Sequence, residues 1–177
     1  MKAISLSLTL SIALASALIA DTCQEVIRDG SGRVVQTIQH QKNSDDTVNS
    51  TTRNASGQII GTSTSRQNSA GNITSTDYRD GSGRLTGGAQ TFGDGTSSRT
   101  TYRDGTGRVA GSANTQTAGS SGSSTQYRDA SGRITGTSNT NSSLSGMFTG
   151  TQRDASGKVT GTNSGKCPTI VPVPTQR

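Results

Sequence analysis

The stretch Tyr78-Arg79-Asp80-Gly81-Ser82-Gly83-Arg84-Leu85-Thr86-Gly87 carries a complete instruction for reversing the chain. An aspartate can accept a bond from the backbone two residues on, the next two positions suit a type I turn, and the second glycine takes the left-handed conformation that closes a bulged three-residue hairpin loop. The same instruction recurs at Ile27–Gln36, Thr52–Gly61, Tyr102–Gly111, Tyr127–Gly136 and Gln152–Gly161, with Asn54 standing where the others have Asp. The leading arginines Arg28, Arg53, Arg79, Arg103, Arg128 and Arg153 are separated by 25, 26, 24, 25 and 25 residues. So constant a period marks a structural repeat of six units of about 25 residues.

A looser turn signal of small and polar residues lies between successive units, at residues 42–46, 68–71, 93–95, 118–122 and 141–146. Two reversals per repeat leave strands of about 8 to 10 residues, rich in Thr with recurring Ile, Val and Tyr, which suits antiparallel β-structure. With Gly81-Ser82-Gly83 as the loop, Asp80 should face Arg84, Arg79 should face Leu85 and Tyr78 should face Thr86. Alternation then puts Tyr78, Asp80, Arg84 and Thr86 on one face, and Arg79, Leu85 and Gly87 on the other. Val34, Ile59, Leu85, Val109, Ile134 and Val159 become equivalent sites, each beside an arginine whose aliphatic stem can cover it.

The fold class is therefore all-β. The favoured form is an antiparallel hairpin meander, extended or rolled, and the alternative is a β-solenoid with one repeat per coil. A flat sheet of twelve strands would be roughly 50 Å wide and tends to curl. Cys23 and Cys167, the only cysteines, bracket the array. A disulfide between them needs Cα atoms within about 7 Å and so requires closure or folded-back ends. Intermolecular pairing, with self-association, and two free thiols are the other options. An outer-membrane barrel is not expected, because no face carries a continuous apolar band.

Residues 1–20 differ in kind from the rest: Lys2 precedes a mostly apolar run from Ala3 to Ile19, and Ala20 is small. That pattern predicts a secretory signal peptide cleaved after Ala20 or after Ala17, followed by a repeat domain over 21–165 and a proline-containing tail over 166–177. Beyond Ala20, Leu, Ile, Val and Phe number 19, about 12 % of the residues, below the roughly 20 % at which a thick core becomes available. The formal net charge of +6 is too modest for a charge-expanded coil. Export to a secreted, periplasmic or cell-surface location is expected, with no transmembrane segment after signal removal.

The motif resembles the tyrosine-aspartate repeats of Rhs shell proteins, whose unit runs Tyr-Asp-x-x-Gly-Arg-Leu. Tyr78 to Leu85, Tyr102 to Val109 and Tyr127 to Ile134 match it with one inserted residue, and the period covers Val26 to Thr162. The resemblance implies extended β-sheet. Rhs shells also enclose toxin cargo, which a chain of 177 residues is too short to surround.

A catalytic centre is not expected. One histidine, His40, and one glutamate, Glu25, are a poor kit for acid–base work, and both are expected to be solvated. The Asp-Gly pairs offer one carboxylate each, too few for calcium, so neither metal nor cofactor is anticipated. Arginine is the feature with functional potential. Arg33, Arg84, Arg108, Arg133 and Lys158 follow the glycine as Arg28, Arg53, Arg79, Arg103, Arg128 and Arg153 precede it, so one edge of the sheet should carry a basic comb. Such a comb suits lipopolysaccharide, acidic glycan or another envelope component, unless the neighbouring aspartates merely offset it. Nucleic acid is not the expected partner, because stacking aromatics are nearly absent. The sequence thus points to a non-enzymatic envelope or extracellular interaction module, structural or adhesin-like. Polyanion binding through the comb and ice binding through threonine rows are the alternatives.

Overall fold

The computed structural model describes residues 22–94, 96–118 and 122–167, so the segment expected to be a signal peptide and most of the expected C-terminal tail, after Cys167, lie outside it. It contains twelve strands: β1 (Thr22–Asp29), β2 (Val34–Lys42), β3 (Thr47–Asn54), β4 (Ile59–Gln67), β5 (Ile73–Asp80), β6 (Leu85–Gly93), β7 (Ser97–Asp104), β8 (Val109–Thr117), β9 (Gly122–Asp129), β10 (Ile134–Ser142), β11 (Met147–Asp154) and β12 (Val159–Lys166). Each pairs antiparallel with the next, and β12 pairs with β1 to close a barrel. The meander is thus the architecture, rolled to completion, and the solenoid is not.

The six repeat turns take the expected form. Asp80 N–H donates to Arg84 O at 3.0 Å and Gly83 N–H to Asp80 O at 3.0 Å, with Gly83 at φ 84°. A single oxygen, Asp80 Oδ1, accepts from Ser82 N–H at 2.9 Å, Ser82 Oγ–H at 2.6 Å and Arg84 N–H at 3.0 Å. Asn54 does the same with its amide oxygen, accepting from Ser56 and Gln58 at 2.7 to 3.1 Å. The loop therefore needs an oxygen acceptor and not a charge.

The cross-strand register differs from the expectation by one residue. Arg79 does face Leu85, but Tyr78 faces Gly87, because Thr86 is the extra residue of a β-bulge. Every repeat hairpin has this shift, after Ile27, Thr52, Tyr78, Tyr102, Tyr127 and Gln152. A bulge sharpens local twist, which the tilted strands of a barrel require. It also changes the faces: Tyr78 and Gly87 share the interior, while Leu85 and Thr86 are exposed on the outside.

Closure follows from a displacement repeated around the ring. Tyr78 pairs with Gly87, which pairs with Asp104 of the next hairpin; Tyr102, Gly111 and Asp129 repeat the alignment, as do Tyr127, Gly136 and Asp154. At the seam Gln152, Gly161 and Asp29 align in the same way. Each hairpin therefore stands two residues further along than its predecessor, and the step across the termini equals the others. In five of the six repeats an inward glycine stands here, where a Cβ on Gly111 would lie 2.5 Å from Arg128 O and one on Gly61 2.8 Å from Arg79 O, while Gln36 holds the same place in the first repeat.

A chain poor in large aliphatics fills the lumen in three ways. Ala89, Tyr102 and Ala113 pack with Tyr78 and Tyr127 toward the end that bears the repeat turns. Cys23, Val48, Phe148 and Cys167 pack at the other end. Between them the interior Ser and Thr hydroxyls bond in pairs, Ser65 with Thr76, Thr91 with Thr100 and Thr115 with Thr125, each at 2.9 Å. Polar groups satisfied in this way can be buried at little cost, and a closed ladder leaves no unpaired strand edge. Cys23 and Cys167 form an intramolecular disulfide with a Cα separation of 5.0 Å, bolting β1 to the chain just after β12.

Candidate functional site: the arginine rim

All six repeat turns lie at one end of the barrel, so the comb expected along a sheet edge is instead a ring around a rim. The leading arginines point outward, and each guanidinium folds back over its own turn. Nη1 of Arg28, Arg53, Arg79, Arg103, Arg128 and Arg153 donates to the carbonyl of the glycine four residues on, at 2.8 to 3.0 Å. Six guanidinium groups are thereby held in equivalent places. Arg33, Arg84, Arg108, Arg133 and Lys158 follow the left-handed glycines, are exposed, and complete a set of eleven cationic side chains.

The aspartates beside these turns form no direct salt bridge with the ring, although each is attracted by the cation that follows its glycine. Among the described residues, the one salt bridge is His40–Glu25, in the interior. Asp29, Asp80, Asp104, Asp129 and Asp154 direct an oxygen into their turns. Their carboxyls are held below the usual carboxylate range, first by the hydroxyl of the Ser or Thr two residues on and then by turn N–H groups. Eleven positive charges against five negative ones leave the rim basic.

Interleaved with the arginines is an apolar row. Arg28 faces Val34, Arg53 faces Ile59, Arg79 faces Leu85, Arg103 faces Val109, Arg128 faces Ile134 and Arg153 faces Val159. The arginine stems cover these residues only in part: Ile59, Leu85 and Val109 keep 45 to 46 % of their surface. Val35 and Ile60, at the bulge positions, add to the row and are similarly exposed.

His40 and Glu25, expected in solvent, are 1 % and 3 % exposed. Ring closure converts one face of the sheet into an interior, and His40 shares strand parity with Ile38 as Glu25 does with Cys23 and Ile27. That parity was the available signal. His40 Nδ1 lies 2.8 Å from Ser50 Oγ, His40 Nε2 lies 3.4 Å from Glu25 Oε2, and Asn163 Nδ2 donates to Glu25 Oε1 at 2.7 Å. A hydroxyl, an imidazole and a carboxylate in series have the composition of a nucleophile with its base. Ser50 is however only 3 % exposed. His40 and Ser50 occupy the place that Ser65 and Thr76 hold one repeat later, and they serve the same packing.

A cavity of about 420 Å³ opens toward the rim between β7 and β12, lined by Tyr102, Tyr127, Gln152 and the backbone around Gly111 and Gly136. Tyr102 Oη and Gln152 Oε1 are buried without a hydrogen-bond partner, and burial raises the Tyr102 phenol pKa above its ordinary value. Among the described residues no cluster of His, Cys, Asp or Glu is suited to a metal ion. A scan of protein-family models and a search of curated proteins find no match to this chain.

Proposed function

We propose that this is an exported, non-enzymatic interaction module of the cell envelope or extracellular space, which binds polyanions such as lipopolysaccharide or acidic glycan through its arginine rim. The observation that carries this reading is the closing of eleven cationic residues into one ring while the neighbouring aspartates are engaged in their turns. A ring of like charge concentrates a positive field at one end of the molecule and attracts anions in a salt-sensitive way. The disulfide accords with an oxidising compartment, as export would provide.

The second repeat indicates how to test the ring without breaking the fold. Gln58 occupies the position of Arg84 and keeps the turn intact, its N–H donating to Asn54 Oδ1 at 3.0 Å. Replacing Arg84, Arg108 and Arg133 by Gln should therefore leave the barrel folded and weaken binding to immobilised heparin by about tenfold or more. For the unaltered protein, raising salt from about 50 to about 200 mM should weaken binding steeply, as counterion release demands. Retention that ignores ionic strength, or the triple variant binding as well as the parent, would refute the reading.

A further inference from the structure

The rim carries more than charge, and what accompanies the charge selects the kind of anion. The row of Val, Ile and Leu runs around the same circumference as the leading arginines, on the outer wall just behind the turns. Because the hairpins are related by equal steps, their tips stand at one height, and the row forms a girdle normal to the barrel axis. Solvent-exposed girdles of this kind are rare on proteins surrounded only by water.

Away from the rim the outer wall is largely polar and its charge balanced, with exposed apolar side chains only at Phe92 and, several strands away, at Leu144 and Met147, which form no continuous band among the described residues. Gln39, Asn49, Thr64, Gln90, Asn114 and Asn139 are exposed there. Lys42, Arg66, Arg99 and Lys166 are matched in number by Asp45, Asp46, Asp77 and Asp94. The apolar zone is one or two residues deep, against the roughly 25 Å that a membrane-spanning barrel presents to lipid. The protein can therefore enter an interface end-on to a shallow depth and cannot cross it on this wall.

We infer that the rim docks on an anionic lipid surface, the girdle entering the headgroup–acyl boundary while the arginines engage the phosphates. This inference rests on the anion-binding reading of the rim and adds its occupant. A soluble glycan would satisfy the cations and leave the girdle wet. A protein partner would cover one sector, whereas the girdle goes all the way round and matches a plane. Arginine is suited to the arrangement, since its stem lies along the apolar row while its head stays at the phosphate level. Interfacial binding of this type combines buried apolar area with attraction to anionic headgroups.

The chain contains no tryptophan, which permits single reporters. Leu85→Trp places one in the girdle and Phe92→Trp places one at the opposite end. On vesicles of phosphatidylglycerol and phosphatidylcholine, the first should shift to the blue and be quenched by lipids brominated in the acyl chain, and the second should do neither. Soluble heparin should leave both unchanged. Replacing Ile59, Leu85 and Val109 by Thr should weaken vesicle binding by about tenfold or more while changing heparin affinity by less than about twofold. Heparin binding without vesicle binding would overturn the lipid inference and leave the anion-binding rim standing; loss of both would remove both. Quenching of Trp at 92 but not at 85 would place the contact at the wrong end and overturn the inference, whether or not the threonine variant folds.

Discussion

The two ends of the barrel reverse the chain with closely related backbone loops but with different side chains. At the basic rim one turn is used six times, with Asp or Asn as acceptor and a left-handed glycine in each copy. At the other end Asn43 N–H to Thr47 O, Asn68 N–H to Asn72 O, Ala118 N–H to Gly122 O and Ser143 N–H to Met147 O close the same loop, but the side chains vary. Asn68 caps a similar loop closed by Gly71, Asp94 closes a shorter one that includes Thr96 and Ser97, and the β2–β3 turn places the non-glycine Asp46 at φ 58°. The contrast separates structural from optional charge. Leading arginines tie down their turns, whereas the basic residue after each glycine does nothing for the loop that Gln58 does not also do.

The contrast can be sharpened by removing the one feature that only the far end possesses. Replacing Cys23 and Cys167 by Ser releases a loop spanning 144 residues and should cost about 5 kcal/mol on the chain-entropy estimate, a large share of a typical domain's stability. Urea unfolding of the double variant would read this directly, and an unchanged midpoint would mean that the β1–β12 ladder alone holds the seam. Next in size is His40→Ala, which strands Ser50 and Glu25 inside the barrel and should cost about 1–3 kcal/mol or more. Converting the Thr91–Thr100 pair to Val–Val, which removes both partners together, should be nearly neutral in the same assay.

At the rim, Gly111→Ala brings a methyl against Arg128 O and should destabilise by about 1–3 kcal/mol, measurable as a lower urea midpoint. A further effect is expected on acid stability. The turn aspartates have folded pKa values below their unfolded ones, so their contribution is present above about pH 4 and fades as pH falls through the folded values. Asp94, at the far end, is lowered to about 2, first by the Ser97 N–H, and loses its contribution over the same window. Converting the rim aspartates to Asn, as repeat two already has it, should flatten the dependence of stability between about pH 4 and 2. An equally steep acid transition in that variant would move the cause away from the rim turns.

Much of the fold could be read from one decapeptide. Asp80 and Gly83 specify the loop, Arg79 opposite Leu85 follows from it, and the period sets the strand count. The bulge was not legible, because nothing in Leu85-Thr86-Gly87 marks Thr86 as the unpaired residue until the demand for barrel twist is known. Closure had a single clue, the spacing of Cys23 and Cys167, and that clue was equally consistent with pairing between molecules. Without closure neither face of the sheet is an interior, and for that reason His40 and Glu25 read as solvated. The arginine rim was visible residue by residue as a comb; only the ring geometry shows that its members are equivalent and that the apolar row accompanies them around the whole circumference.

The alignment of Gln152, Gly161 and Asp29 makes the junction between the chain's two ends indistinguishable in register from any internal one. Covalent order is then incidental to shape. A permuted gene beginning at β3, β5, β7, β9 or β11, with Lys166 spliced to Thr22 through a short linker, should trace the same barrel. Six free copies of one such hairpin contain every backbone pairing that the intact polypeptide uses, which is the geometry expected of a molecule grown by tandem duplication of a small self-assembling ancestor.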